Sequence, residues 1–292
     1  MIPKVVLDKV RRIEITTTHL VSDVFAGAYH SVFKGRGMEF DEVREYQPGD
    51  DIRTIDWNVT ARTGLAHIKK YIEEREMTVM ILVDASASTY FGSTKELKNT
   101  LAAEIAAVLA FSAIRNNDKV GLLMFTDRIE LYIPPRKGKS HVLRVIREVL
   151  YFRPKGKGTD LKMALDYLSK VTKRKSVTFI ISDFFVTGNF KKSLQITNKY
   201  HDIIAITLND QRESMLPDCG LVSLMDAESG KQIIVDTSDK KVRDTFAKQA
   251  RVRIENRDRS FAQTGVDHID VHTHVPYATA LISFFARRRG RR

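Results

Sequence analysis

The sequence has little of what would stabilise a secreted scaffold or anchor a chain in a membrane. Its 292 residues include one cysteine, Cys219, so no disulfide can form within the chain and a reducing compartment fits the composition. No apolar run reaches the roughly 18 residues of a membrane-spanning helix. The charges of Lys4 and Asp8 interrupt the start before a signal-peptide core could form. We therefore expect a cytoplasmic protein without a transmembrane segment.

Negative charge is also in short supply. There are 48 Lys and Arg residues against 36 Asp and Glu, which gives a formal net charge of +12. Such a surface suits an acidic partner, and the arginine-rich tail at 287–292 strengthens that interpretation. Charge alone therefore leaves two alternatives open: a solvated basic surface, or a protein that binds nucleic acid or acidic lipid.

The pattern of apolar residues and turn signals divides the chain into an N-terminal domain, residues 1–76, and an α/β domain, residues 77–292. Helical spacing predicts one or two helices between residue 3 and about residue 30. From 35 to 76, short extended pieces broken by Gly and Pro turns predict a small β-rich lobe. The hydrophobic content of 43% is enough for one full-sized core and such a lobe.

Beyond residue 76, strands and helices alternate. Residues 77–83 form a continuous apolar run, which is typical of a central strand covered on both faces. Further strands are predicted at 120–125, 129–133, 177–182, 203–208 and 266–271, helices at 94–115, 140–151, 159–172, 190–200, 239–263 and 276–288, and a hairpin at 221–225 and 232–235. This alternation predicts the α/β class, with a doubly wound, mostly parallel sheet.

Oxygen-bearing side chains follow the predicted central strands. Asp84, Ser86 and Ser88 alternate along the exit of the first strand, so they point the same way. Thr159 stands at the start of a predicted helix, and Asp183 ends the strand 177–182. Because the carboxyl ends of parallel strands meet at one edge of the sheet, we expect these five side chains to form one site.

Carboxylates and hydroxyls together select a hard cation. Mg²⁺ or Mn²⁺ is favoured, and Ca²⁺ less so. Two carboxylates and neutral hydroxyls leave such an ion able to accept a carboxylate from another protein. For each residue alone, a role as a loop starter or a helix cap is the favoured interpretation, but the whole set favours metal binding.

These residues resemble the metal-ion-dependent adhesion site of von Willebrand factor A domains over about 77–210. The similarity lies in three motifs: Asp84-x-Ser86-x-Ser88, Gly158-Thr159-Asp160 and Ser182-Asp183. Adhesion-type members commonly place Gly after the final Asp, whereas Phe184 and Phe185 follow it here. The departure predicts aromatic surface beside the ion.

The upstream stretch resembles the bacterial family called domain of unknown function number 58. The matching residues are Gly35-x-Gly37-x-Glu39-Phe40, Arg44-Glu45-Tyr46-x-Pro48-Gly49-Asp50-Asp51-x-Arg53-x-Ile55-Asp56-Trp57 and Ala61-Arg62. This resemblance implies a von Willebrand A-like fold, a divalent ion and association with MoxR-type AAA+ ATPases. It implies no known reaction.

The signature segment of the lobe has two interpretations. Arg44, Arg53, Arg62 and Trp57 are residue types that concentrate binding energy at docking surfaces. The same residues suit an ion-pair network that holds a lobe with little core, with Trp57 inside it. We favour the network.

Together these features predict a non-enzymatic, metal-dependent protein–protein interaction module. It would be an adaptor or cofactor of a MoxR-type AAA+ ATPase in protein assembly or maturation, and a client protein would offer an Asp or Glu to the metal. One alternative is the polyanion-binding protein described above. Another is a metal-dependent hydrolase, which would need Asp160 or Glu104 as its general base.

Overall fold

The computed structural model describes residue 29 and residues 39–72, 76–94, 97–186, 188–228 and 230–290. The helices predicted between residue 3 and about residue 30 lie outside the described residues, apart from Tyr29. The chain divides into two compact units, one over Phe33–Met77 and the other over the rest of the chain. The grouping of residues 1–76 into one N-terminal domain stays a prediction.

The smaller unit is built around two antiparallel strands, β1 (Glu39–Glu45) and β2 (His67–Ile72). Helix α1 (Trp57–Thr63) lies between them in the chain. Asp56 caps this helix, because its carboxylate accepts the N–H groups of Asn58 and Val59. The helix ends at Gly64, whose φ of 75° is favourable only without a side chain.

The prediction that Trp57 lies inside this lobe is wrong, because its side chain is 68% exposed. Ion pairs are present: Arg44 binds Asp50 at 2.7 Å, and Lys69 lies 3.3 Å from Asp56. Over residues 43–69, however, the one buried apolar side chain is Ile68. Two strands and a two-turn helix therefore provide too small a core to cover an indole ring.

The larger unit contains the α/β domain. Its strands are β3 (Thr78–Asp84), β4 (Lys119–Phe125), β5 (Ile129–Arg136), β6 (Val177–Ser182), β7 (Asp202–Asn209), β8 (Leu221–Met225), β9 (Gln232–Asp236) and β10 (Asp267–His272). Its helices are α2 (Lys98–Arg115), α3 (Lys139–Tyr151), α4 (Leu161–Val171), α5 (Lys191–Tyr200), α6 (Lys240–Thr264) and α7 (Tyr277–Gly290). The predicted fold class is confirmed.

A six-stranded sheet in the order β10-β7-β6-β3-β4-β5 forms the centre of this unit. All neighbours are parallel except β4 and β5, which are antiparallel, so the sheet is mostly parallel, as predicted. Every residue of β6 is buried, which explains why this strand contains no charged residue. On one face, Leu161, Leu165 and Leu168 of α4 pack in a core cluster with Met80.

The sheet order reverses between β3 and β6. The chain runs from β3 outward to β4 and β5, and then returns to the other side of β3 as β6. The carboxyl ends of these two strands therefore face the topological switch point, where open α/β sheets form their ligand sites.

Strands β8 and β9 form the predicted hairpin, which is a sheet of its own. Its base is closed by Thr237, whose N–H and hydroxyl both donate to the carbonyl of Gly220, at 2.8 and 2.7 Å. Within the part of the chain that the structure describes, no helix is both long and apolar enough to cross a membrane.

Candidate functional site

Two buried aspartates lie at the switch point. Asp84 is the last residue of β3, and Asp183 directly follows β6, the neighbouring strand. Val83 is paired with Ile181, so Asp84 is level with Ser182 across the ladder. The two aspartates are 2% and 1% exposed. The predicted convergence of these strand ends is therefore present in the structure.

Hydrogen bonds fix the orientation of the Asp84 carboxylate. Its Oδ1 accepts the N–H of Ser86 at 2.9 Å, and its Oδ2 accepts the hydroxyl of Ser182 at 2.6 Å. Burial, reinforced by the negative charge of Asp183, raises the pKa of Asp84 to about 7. A cation in contact with this carboxylate would remove most of the cost of its charge.

The two serines bring their hydroxyls together. Ser86 is fully buried, Ser88 is half-buried, and their Oγ atoms lie 3.0 Å apart. Adjacent oxygen ligands of an octahedral Mg²⁺ ion, with bonds of about 2.1 Å, are separated by about 3 Å. The serine pair therefore has the spacing of two neighbouring ligand positions.

The Thr159 loop is held against the turn between β4 and β5. Glu130 accepts the N–H groups of Lys155 and Gly156, at 3.0 and 2.7 Å. A Cβ on Gly156 would lie 2.1 Å from Asp127 Oδ1, so only glycine fits there. The Ala87 N–H donates to the Lys157 carbonyl at 3.0 Å, which joins this loop to the serine loop.

Thr159 itself is 9% exposed, and helix α4 begins at Leu161, two residues after the predicted start at Thr159. The helix cap is Asp160, whose carboxylate accepts the N–H of Met163. The Thr159 hydroxyl donates to Glu228 Oε1 at 3.2 Å. The fifth predicted residue thus lies at the same sheet edge, in contact with a carboxylate that the sequence did not indicate.

Glu228 reaches Thr159 from the turn of the β8–β9 hairpin. A Cβ on Gly158 would lie 3.6 Å from its Oε2, so the carboxylate extends over Gly158 and Thr159. Burial raises the pKa of Glu228, and the negative charges of Asp183 and Asp127 contribute to the rise. Glu228 is therefore close enough to the buried aspartate to sense its charge.

A buried ammonium stands on the other side of Asp183. Lys98, the first residue of α2, is 0% exposed and donates to Asp183 Oδ2 at 2.7 Å and to Glu213 Oε1 at 2.6 Å. Burial alone would lower the pKa of Lys98, but the charges of the two carboxylates raise it above its usual value. The lysine is therefore a fixed positive charge within the site.

The charges of this cluster do not cancel. Asp84, Asp183 and Glu213 contribute three negative charges when ionised, and Lys98 contributes one positive charge, which leaves a formal charge of −2. One divalent cation would neutralise it. Throughout the described ranges, no group of three or more His, Cys, Asp or Glu side chains could hold a metal. An ion at this edge would therefore depend on hydroxyl ligands.

The residue after Asp183 has an unusual backbone. Phe184 has a φ of +56°, in the left-handed region that favours glycine and costs other residues about 1–3 kcal/mol. Its ring is 6% exposed and packs edge-on against Phe261, at 5.0 Å between centroids. Glycine would adopt this conformation without that cost. In this chain, packing holds a phenylalanine there instead.

Sequence reasoning missed Lys98, Glu213 and Glu228. Lys98 did have a signal, because it stands at helical spacing from the buried residues Leu101 and Ile105. A lysine on the apolar stripe of a helix needs a buried partner. Glu213 and Glu228 lie in connections after β7 and β8, where no periodicity indicates which way a side chain points.

Replacing Lys98 with methionine should lower the free energy of unfolding by about 3–5 kcal/mol at neutral pH, because Asp183 and Glu213 lose their buried counter-charge. Burial already raises the pKa of Glu213 in the folded protein. A carboxyl with a raised pKa binds protons more readily in the folded state. Lowering the pH should therefore reduce the difference in unfolding free energy between wild type and the variant. Urea denaturation at about pH 7.5 and about pH 5 measures both effects.

The matched control is Lys170→Met, at an exposed position of α4. It removes the same charge and should change stability by no more than about 0.5 kcal/mol. Equal stability of the two variants would show that the Lys98 ion pairs contribute nothing net.

The chain is similar to proteins of known sequence along most of its length. The family described as "Protein of unknown function DUF58" matches residues 42–256. The uncharacterized protein Rv1480 of Mycobacterium tuberculosis is 33% identical over 283 residues, 96% of this chain and 88% of the relative. The uncharacterized protein YeaD of Bacillus subtilis is 24% identical over 107 residues, 37% of this chain and 25% of the relative.

Among solved structures, an aerotolerance-related membrane protein from Bacteroides fragilis matches with a TM-score of 0.50 and 13% identity, over 74% of this chain and 100% of that chain. The SpRpn10 VWA domain matches with a TM-score of 0.40 and 11% identity, over 71% of this chain and 94% of that chain. The expectation of a von Willebrand A-like fold is confirmed.

Proposed function

The chain belongs to the DUF58 family, and we propose that it is a metal-dependent protein–protein interaction module. The observation that carries the proposal is the set of oxygen atoms at the switch point. Two serine hydroxyls 3.0 Å apart lie at the end of the strand that carries the buried Asp84, in a cluster with an uncompensated negative charge.

In the proposed site, Asp84, Ser86 and Ser88 hold Mg²⁺, or Mn²⁺ or Ca²⁺ in its place. Thr159 and Asp183 complete the shell, directly or through water. The bound ion supplies positive charge that can accept an Asp or Glu carboxylate from a client protein. We propose no reaction: of the two candidate general bases, Asp160 is engaged as the cap of α4, and Glu104 lies within helix α2 rather than in the loops that carry the proposed ligands.

The first test is Mn²⁺ titration by calorimetry. We expect Asp84→Ala to weaken binding by about 100-fold or more, because it removes one of the two buried carboxylates. Asp166→Ala is the matched control, since it removes an exposed carboxylate from α4. It should bind as the wild type does. Equal Mn²⁺ binding by all three proteins would show that Asp84 does not hold the ion and would overturn the proposed site.

The affinity for Mn²⁺ should also depend on pH. The ion needs an ionised carboxylate, and burial raises the pKa of Asp84 to about 7. From about pH 8 to about pH 6, the affinity should therefore fall by up to about tenfold per pH unit below 7. The stability of the metal-free protein should depend on pH in the opposite direction, because the folded state binds this proton more tightly than the unfolded chain does. Metal-free stability should thus fall as pH rises toward 7.

Calorimetry in the same buffers at each pH, with circular dichroism as the check on folding, measures this effect. A pH-independent affinity would mean that Asp84 does not have to lose a proton when the ion binds.

We further propose that the partner is a MoxR-type AAA+ ATPase, for which this chain is an adaptor in protein assembly or maturation. The support is the chain's resemblance to proteins associated with such ATPases. Affinity capture from a bacterial lysate should retain the ATPase in Mg²⁺ and lose it in chelator or with Asp84→Ala. Capture of nucleic acid or lipid that is the same with and without chelator, but is lost at high salt, would instead favour the polyanion-binding alternative.

A further inference from the structure

The hairpin turn delivers a carboxylate to the candidate ion site. Glu228 Oε1 accepts the Thr159 hydroxyl at 3.2 Å, and its backbone N–H donates to Asp226 Oδ1 at 2.9 Å, which fixes the turn. The hairpin has no ladder with the central sheet. Glu228 therefore approaches the site from outside the sheet, as the carboxylate of a bound partner would.

Next to Glu228, the hairpin covers a cavity of about 960 Å³ that also reaches Ser88. Its lining is largely apolar: Met225 and Ile233 come from the hairpin, and Phe185 and Phe190 come from the segment after Asp183. A cavity of this size and lining suits bulky apolar side chains.

Positive charge borders the same cavity. Arg253, on α6, lies over the Phe185 ring, with its guanidinium carbon 4.8 Å from the centroid, and it lines the cavity. Lys231, Asp226 and Glu228 also line the cavity, but they belong to the hairpin. When the hairpin leaves, Arg253 stays beside the cavity and complements an acidic segment.

Resting on the proposed ion site, we propose that the β8–β9 hairpin occupies the partner-binding surface, with Glu228 in the place of the partner's carboxylate. The partner is then a protein segment with bulky apolar side chains next to an Asp or Glu. Its acid replaces Glu228, and its apolar side chains enter the cavity that the hairpin covers.

Displacing the hairpin costs little of the fold's core. The ladder between β8 and β9 is local, and its base is closed at Gly220 and Thr237, so the hairpin can leave as one unit. The central sheet keeps all its pairings. What the partner must replace is the Glu228 contact and the apolar cover over the cavity.

The test compares wild type, Glu228→Ala and the control Asp166→Ala, each loaded with Mn²⁺. The probe is the blocked peptide Gly-Phe-Glu-Phe-Gly, with two relatives: one has Gln for Glu, and the other has Ser for both Phe residues. We expect Glu228→Ala to bind the first peptide about tenfold or more tightly than wild type, because the internal competitor is gone. Asp166→Ala should match wild type, and both altered peptides should bind at least about tenfold more weakly.

Separate Mn²⁺ titrations distinguish the possible failures. If Mn²⁺ binds but Glu228→Ala gains no affinity for the first peptide, or binds no peptide, the hairpin inference is overturned and the ion site stands. If the serine peptide binds as tightly as the phenylalanine peptide, the apolar part of the inference is overturned. If wild type does not bind Mn²⁺, the proposed function fails and this inference with it.

Discussion

The ion pairs of Lys98 with Asp183 and Glu213 are the interaction on which this sheet edge depends. Moving a charge out of water costs several kcal/mol unless a partner compensates for it. One buried ammonium forms ion pairs with two carboxylates, and it joins the start of α2 to the exits of β6 and β7. Asp210 extends the connection, since it accepts the hydroxyls of Ser93 and Thr273. The loops that form the site are thereby held by charge as well as by packing.

Lys98 and the proposed ion would each neutralise part of the negative charge of the cluster. The charge of Lys98 is always present, and it compensates the charges of Asp183 and Glu213. Asp84 has no cationic side chain among its described contacts, and burial raises its pKa. The permanent charge stabilises the loops whether or not metal is bound. The remaining negative charge would provide the affinity for the proposed cation, so that structure and binding would rest on different charges.

The sequence predicted the bounds of the strands in the sheet to within one residue, except at the end of β5, because strands such as β3 contain an uninterrupted apolar run, 79–83, bounded by polar residues. It also predicted that the hydroxyls of Ser86 and Ser88 lie together beyond Asp84, but not how: the strand ends at Asp84, and a 3-10 turn over Ala87–Tyr90 places Ser88 beside Ser86. The sequence could not predict the position of Glu228, because a hairpin outside the sheet can place its turn in many positions. The position of Trp57 was predicted wrongly for a related reason: the pattern identified a lobe with little core, but not which side chains that core covers.

The chain order of the ion ligands has a consequence for folding. Asp84, Thr159 and Asp183 come from three separate segments, and they meet only when β3 has paired with β6, a strand that follows two intervening strands and three helices. Pairings of such long sequence separation form slowly. A bound ion would therefore stabilise only chains in which the centre of the sheet is complete, and would leave partly folded forms unaffected. The site would then present partner-binding activity only on molecules that have finished folding.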